Sequence, residues 1–227
     1  FVCSASLIKP GVIVTAAHCV ANYGKNQYYS SWMFVPAFVN NIAPYGTYTS
    51  FRAWVLDSYL NGTDSCAQTG VICQDDVAVI RLNTVAGMYP GQVVGWFGYG
   101  WNAYGFNSSS QTLITQLGYP AALDRGQVME RTDSQGQTVP SLSNNTVIGT
   151  LQTEGSSGGP WVANLGSPPA LSGISNGTGV ASNTVVGVTS WGYTDPAVKE
   201  AGAAPFTTGN ITVLVNAACT GAPAGVC

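Results

Sequence analysis

Charge is scarce in this sequence, and histidine is present once. Of 227 residues only 7% are Asp, Glu, Lys or Arg, with 10 acidic against 7 basic side chains and a net charge of -3. Without a basic stripe nothing displaces counterions from phosphates, so nucleic acid is not an expected partner. No run approaches the roughly 18 uninterrupted apolar residues of a membrane helix, and a soluble protein with no membrane partner is expected. No cysteine sits in a zinc-type C-x-x-C with a matching partner, and no glycine-rich loop ends in G-K-[ST]. Neither metal nor organic cofactor is therefore expected. The apolar start, Phe1 to Ile8, has no initiating Met and no basic leader, as in a mature or truncated chain.

What is abundant points to a folded β protein. Apolar residues make up 45% of the chain and glycine contributes 28 positions, enough for a sizeable core joined by tight turns and too apolar for disorder. Short β-favouring runs recur between turn clusters: 6–15, 32–39, 51–56, 77–82, 93–97, 111–117, 146–151, 159–163 and 184–190. Such spacing without long periodic helices reads as an all-β barrel or sandwich. The one helix predicted is short and C-terminal, over 211–218, with Asn210 as N-cap. Segment 83–92, with Gly87 and Pro90-Gly91, reads as a crossover between units 1–88 and 89–227. Segments 101–110 and 165–183 read as surface loops.

Six cysteines leave the connectivity open, and proximity with motif context pairs Cys3 with Cys19, Cys66 with Cys73, and Cys219 with Cys227. Sequons at Asn61, Asn107, Asn144, Asn176 and Asn210 mark candidate glycosylation sites. Together they favour secretion through an oxidising compartment.

Three elements carry chemistry. His18 stands in Thr15-Ala-Ala-His-Cys19, at the end of a strongly β-forming run, where a disulfide would hold its ring. Asp75 and Asp76 open the apolar strand Val77-Ala-Val-Ile80. Asp76 abuts that strand and is the better placed to accept a proton from a histidine Nδ1. In Glu154-Gly-Ser-Ser-Gly-Gly-Pro160 the glycines let the Gly155 and Ser157 amides converge on one oxyanion while the Ser157 hydroxyl attacks.

In the order His18, Asp76, Ser157, with Cys3-Ser-Ala-Ser-Leu-Ile8, Asp76-Val-Ala-Val79, Gly155-Ser-Ser-Gly-Gly-Pro160 and Ser190-Trp191-Gly192, the chain resembles the chymotrypsin-like serine peptidases. Gly118-Tyr119-Pro120, the stretch 153–159 and the missing cysteine before the nucleophile loop resemble the glutamyl-endopeptidase-like (V8-like) branch. The resemblance implies two perpendicular six-stranded antiparallel β-barrels with the site between them, the first lacking its N-terminal strand here because relatives carry more residues before the equivalent of Phe1. It implies His18 as general base, Asp76 as its orienting carboxylate, Ser157 as nucleophile, and Gly155 with Ser157 as oxyanion hole. Ser190, Trp191 and Gly192 would pair with an extended substrate.

The chain also departs from that pattern. Ser156 stands where many relatives carry the Asp of the zymogen switch, so that switch is not expected. Leu151 stands where trypsin-type members carry the pocket aspartate, which disfavours cleavage after Lys or Arg, although Glu154 at the rim would attract cations. Gln152 and Thr189 stand where glutamyl endopeptidases carry a hydroxyl and a histidine, so strict Glu specificity is not expected and the preferred P1 residue is neutral. The expected activity is that of a secreted, monomeric serine endopeptidase acting on proteins or peptides and open to proteinaceous inhibitors. An inactive homologue serving as a binding protein is the second reading, opposed by the presence of all three triad members. An esterase is the third. Gly155-Ser-Ser-Gly-Gly159 fits its G-x-S-x-G elbow, but the chain order and the lack of an α/β pattern oppose it.

Overall fold

The computed structural model describes residues 2–102, 111–166 and 182–227. The first strands are apolar at their centres, Leu7-Ile8 in one and the β-branched run Val12-Ile-Val-Thr15 in the next. β1 (Ser6–Lys9) turns at Pro10-Gly11 into β2 (Val12–Thr15), pairing Ser6 with Val14 and Leu7 with Ile13. There follow β3 (Ala21–Asn22), β4 (Gln27–Tyr28), β5 (Met33–Phe34), β6 (Tyr48–Val55), helix α1 (Asp57–Asn61), the β7 (Cys66–Gln68) and β8 (Ile72–Cys73) hairpin, and β9 (Ala78–Leu82). Among the described residues the main N-terminal sheet runs β1-β2-β9-β6-β5 and stays open, a curled half-barrel. This is the shape expected of a barrel with one strand fewer.

There follow helix α2 (Pro90–Val94), β10 (Gly98–Tyr99), β11 (Gln111–Gly118), β12 (Glu130–Val139), β13 (Asn145–Gly149), β14 (Pro160–Ala163), β15 (Thr184–Gly192), β16 (Glu200–Pro205) and helix α3 (Ile211–Cys219); these strands make a second sheet. That sheet runs β10-β15-β14-β11-β12-β13-β16, and β16 pairs back onto β15, closing a six-stranded antiparallel barrel. β10 lies outside that ring, parallel to β15.

Side-chain alternation divides the core. Ile13, Ala78 and Ile80 face the interior of the first sheet with Val20, Tyr48, Val55, Tyr59 and Leu82. Val12, Val14, Val77 and Val79 face the other way, against Val162 and Val188 of the second barrel and Ile211, Leu214 and Val215 of α3. β2 and β9 are thus buried on both faces, between the interior of their own sheet and the second barrel. No helix among the described residues is long and apolar enough to cross a membrane.

Several local expectations change. Segment 93–97 is not a strand; Pro90 starts a helix there, closed by the Gln92 carboxamide accepting the Tyr89 N–H at 2.8 Å. Segment 32–39 keeps only β5, since Pro36 and the left-handed Ala37 (φ 52°) end it. The three cysteine pairs form the disulfides expected: Cys3–Cys19, Cys66–Cys73 and Cys219–Cys227.

Candidate active site

The histidine and the aspartate meet because their strands are neighbours. Thr15, the last residue of β2, pairs with Ala78, the first of β9, so the segments just beyond each strand lie side by side. After β2 the chain makes a 3-10 turn over Ala17–Cys19, closed by the Val20 N–H on the Ala17 carbonyl at 2.9 Å and fastened by the Cys3–Cys19 disulfide. His18 rides on that turn with its side chain 30% exposed, whereas Asp76 is 2% exposed.

Asp76 is fully engaged. Its Oδ1 accepts the His18 backbone N–H at 2.8 Å; its Oδ2 accepts His18 Nδ1–H at 2.8 Å and the Ser190 hydroxyl at 2.5 Å. Burial pushes the carboxyl upward, but the imidazole charge and these hydrogen bonds outweigh it, and the net shift is downward. For His18 burial opposes protonation, while the charge and hydrogen bond of Asp76 favour it and prevail, so the imidazole lies above its ordinary value. With Nδ1–H spent on the carboxylate, the neutral ring keeps Nε2 as an acceptor.

The nucleophile loop is shaped by glycine. Gly155 has φ 93° and Gly158 φ 78°, and a Cβ on either would run into backbone, the Tyr119 carbonyl for Gly155 and the Ser4 carbonyl for Gly158. Along 155–159 the amides of Ser156, Gly158 and Gly159 donate to the carbonyls of Thr153, Thr189 and Ser156 at 3.2, 2.7 and 2.8 Å. Those of Gly155 and Ser157 have no acceptor among the described residues. Two donors flanking a half-buried serine are the elements of an oxyanion site. No hydrogen bond joins the Ser157 hydroxyl to the His18 ring among the described residues, a contact that often tightens only with substrate.

The expected substrate-contact residues divide into two groups. Ser190 is spent on Asp76. Thr189 points into the barrel, where its hydroxyl accepts from Gln116 Nε2 at 3.0 Å and Trp161 Nε1 at 2.9 Å. Gln152 is buried too, its Nε2 donating to the Gln116 carbonyl at 3.3 Å while its Oε1 has no hydrogen-bond partner among the described residues, so neither side chain offers a free donor to a P1 residue. Leu151 is 58% exposed and lines an outer groove with Arg131 and Lys199 rather than a buried pocket floor. Glu154 is exposed. The Trp191 ring lies across Gly202 and donates to Asn145 Oδ1 at 2.8 Å. Pairing of β15 with β14 stops at Val188, leaving one edge of residues 190–192, Gly192 included, without a strand partner among the described residues.

Of the sequons, Asn61 and Asn144 are exposed, and Asn107 and Asn176 lie outside the described residues. Asn210 is 0% exposed. Its Oδ1 accepts the N–H groups of Thr207 and Ile211 and its Nδ2 donates to Asp75 Oδ1, which leaves no room for a glycan. Sequence reasoning found Asn210 as a cap but missed its link to Asp75, and it missed Ser4, a buried serine bonded to the nucleophile loop whose only signal was its place beside Cys3. Among the described residues, the clusters where histidine, aspartate and cysteine atoms converge, Cys3/His18/Cys19 and Asp64/Cys66/Cys73, are each built on a disulfide, whose sulfurs are not thiolate ligands.

The trypsin family model matches residues 1–210. Over 98 residues the chain is 30% identical to a Bacillus subtilis (strain 168) protein named extracellular metalloprotease, a match covering 43% of this chain and 27% of that protein. The chain thus spans little of that relative's length. Three solved structures share the fold. The protease Anisep of Arthrobacter nicotinovorans is 25% identical with a TM-score of 0.75, over 96% of this chain and 89% of that one. The thermostable serine protease AL20 from an extremophilic microorganism is 22% identical with a TM-score of 0.76, over 96% and 90%. A Glu endopeptidase is 21% identical with a TM-score of 0.66, over 96% and 85%.

Proposed function

Since this chain belongs to the trypsin family, we propose that it is a secreted serine endopeptidase in which His18, Asp76 and Ser157 form the triad, between unit 1–88 and unit 89–227. The observation that carries the reading is the pairing of His18 with a buried, triply bonded Asp76 on one side and the two unbonded amides of Gly155 and Ser157 on the other. His18 Nε2 takes the Ser157 proton as Oγ attacks the scissile carbonyl. Asp76 holds the ring in the required tautomer and stabilises the imidazolium, and the two amides receive the oxyanion. His18 then gives its proton to the leaving amine, and water drawn through the same base releases the acyl group. An extended substrate adds along the open edge of residues 190–192.

The preferred P1 side chain is neutral. Among the described residues the buried carboxylate is Asp76, which is taken by His18 and Ser190 and is not left to pair with Lys or Arg, and Thr189 and Gln152 are turned to the barrel interior instead of presenting donors to a carboxylate. Three disulfides fit an extracellular life. The missing Ser157–His18 hydrogen bond is the observation on which the rival reading, an inactive homologue acting as a binding protein, would rest. Fluorophosphonate labelling of the native protein separates the two. Modification of Ser157 alone, lost in Ser157→Ala and on denaturation, supports the protease; a folded, propeptide-free protein that does not label refutes it.

A further inference from the structure

Ser4 is 3% exposed and makes four hydrogen bonds, three of them across the interface between the two sheets. Its hydroxyl donates to the Gly155 carbonyl at 2.8 Å and accepts the Tyr119 N–H at 3.0 Å. Its backbone N–H donates to the Ser157 carbonyl at 2.8 Å, and its own carbonyl accepts the Thr15 hydroxyl at 2.8 Å. Next to it, Cys3 is bonded to Cys19, the neighbour of His18. One residue thus joins the turn that carries the base to the loop that carries the nucleophile.

The loop needs such a clamp. A trans peptide points its C=O and N–H in opposite directions, so holding one carbonyl fixes the direction of the next amide. The Glu154 carbonyl is held by Ala121 N–H, that of Ser156 by Gly159 N–H, and those of Gly155 and Ser157 by Ser4, all at 2.8 Å. The peptides that carry the Gly155 and Ser157 amides are thus held by Ala121 and Gly159, and Ser4 holds the two peptides next to them: 155–156, which links the two oxyanion donors, and 157–158, which follows the nucleophile. Gly155, with no Cβ, is also the residue at which the loop turns over most readily.

Resting on the protease reading above, we propose that Ser4 is a positioning residue: by holding the 155–156 peptide that links them, it keeps the Gly155 and Ser157 amides aligned on one oxyanion. Removing its hydroxyl orphans the Gly155 carbonyl and the Tyr119 N–H, and rotation of the 155–156 peptide to recover a partner moves the two amides it connects out of line. Substrate still binds along residues 190–192, so the loss falls on the transition state.

The test compares wild type, Ser4→Ala and Ser4→Thr by kcat and KM on a peptide amide, by Ki for a peptide aldehyde, whose tetrahedral adduct with Ser157 carries the oxyanion, and by Ki for the cleaved peptide product. In Ser4→Ala, kcat/KM falls by about 10- to 100-fold and the aldehyde Ki rises by the same factor. KM, product Ki and the acid limb of the pH profile stay within about twofold. Ser4→Thr, which keeps the hydroxyl, recovers most of the loss. A folded Ser4→Ala protein with wild-type kcat/KM and aldehyde Ki, a loss shared equally by product binding, or a Ser4→Thr variant as impaired as Ser4→Ala overturns the role of Ser4. A wild-type protein that neither cleaves nor binds the aldehyde overturns the protease reading and this inference with it.

Discussion

Replacing Asp76 with asparagine tests the charge arrangement of the site with almost no change in shape. The carboxylate accepts three hydrogen bonds, from the His18 backbone, His18 Nδ1 and Ser190. An asparagine has one acceptor oxygen. If that oxygen sits at the Oδ2 position, the new NH2 faces the His18 backbone N–H, donor against donor in a buried place. If it sits at the Oδ1 position, the backbone bond survives and the NH2 faces Nδ1 and Ser190. The second arrangement is the one without opposed donors, because the imidazole can shift its proton to Nε2 and Ser190 can turn to accept. A protonated Nε2 cannot take the Ser157 proton, and kcat drops by about 10⁴-fold, the cost of trapping the wrong tautomer. The pH profile adds an independent readout. In the wild type, activity rises with pH as His18 loses its proton, with a midpoint above the ordinary histidine value because Asp76 holds the charged form. Without that charge the midpoint moves to lower pH. The measurement is kcat/KM on a chromogenic peptide from pH 4 to 10, with circular dichroism to confirm folding. Asp75→Asn serves as the control, expected within about threefold of wild type since its amide oxygen still accepts from Asn210. An Asp76→Asn protein within tenfold of wild type, or with an unmoved acid limb, would refute this account.

Gly155→Ala places a methyl against the Tyr119 carbonyl at a φ of 93°, and kcat falls by about 10²- to 10³-fold as one oxyanion donor is displaced; an aldehyde Ki unchanged from wild type would contradict this. Asn210→Ala removes the cap of α3 and the bond to Asp75, costing about 1–2 kcal/mol in urea unfolding, while glycopeptide mapping finds no sugar on Asn210 in the wild type. Burial raises the Asp64 carboxyl to about 6. The folded state thus holds that proton more tightly than the unfolded chain, and its stabilising effect is lost as pH rises from about 4 through 6. Asp64→Asn, whose oxygen can still accept the Asp75 N–H, should match wild type in thermal unfolding at pH 4 and exceed it by about 1–2 kcal/mol at pH 8; an equal gap at both pH values would rule out this cause.

The strands that sequence made legible are those whose side chains are asked to be apolar. β2 and β9 are buried on both faces, so their valines and isoleucines stand out. β12 was invisible because Glu130–Val139 is polar along most of its length, yet it pairs with β11 from Gln111↔Gln137 to Gly118↔Glu130. Its strand character comes from its partners. β16 was missed for a different reason. Its sequence, Glu-Ala-Gly-Ala-Ala-Pro, is small because larger side chains lie across it; the Trp191 ring occupies the space a Cβ on Gly202 would need. Small residues carry little β signal of their own.

The site divides along the same line. His18, Asp76 and Ser157 were picked out by their residue types and chain order, and the structure joins the first two through His18 Nδ1 and Asp76 Oδ2. The pocket was read less well, because a position in sequence does not say to which side a polar residue turns. Thr189 and Gln152 stand where a specificity pocket would be lined, yet the second barrel has a polar interior that claims them: Trp161 and Gln116 donate to Thr189, Thr150 donates to Gln116, and Gln152 donates to the Gln116 main chain. A buried hydroxyl or carboxamide left without partners is costly, so Gln116, fully buried in β11, effectively dictates where its neighbours point. The same argument explains why Ser4 was overlooked, since a small polar residue beside a cysteine becomes informative only when the carbonyls it holds can be seen.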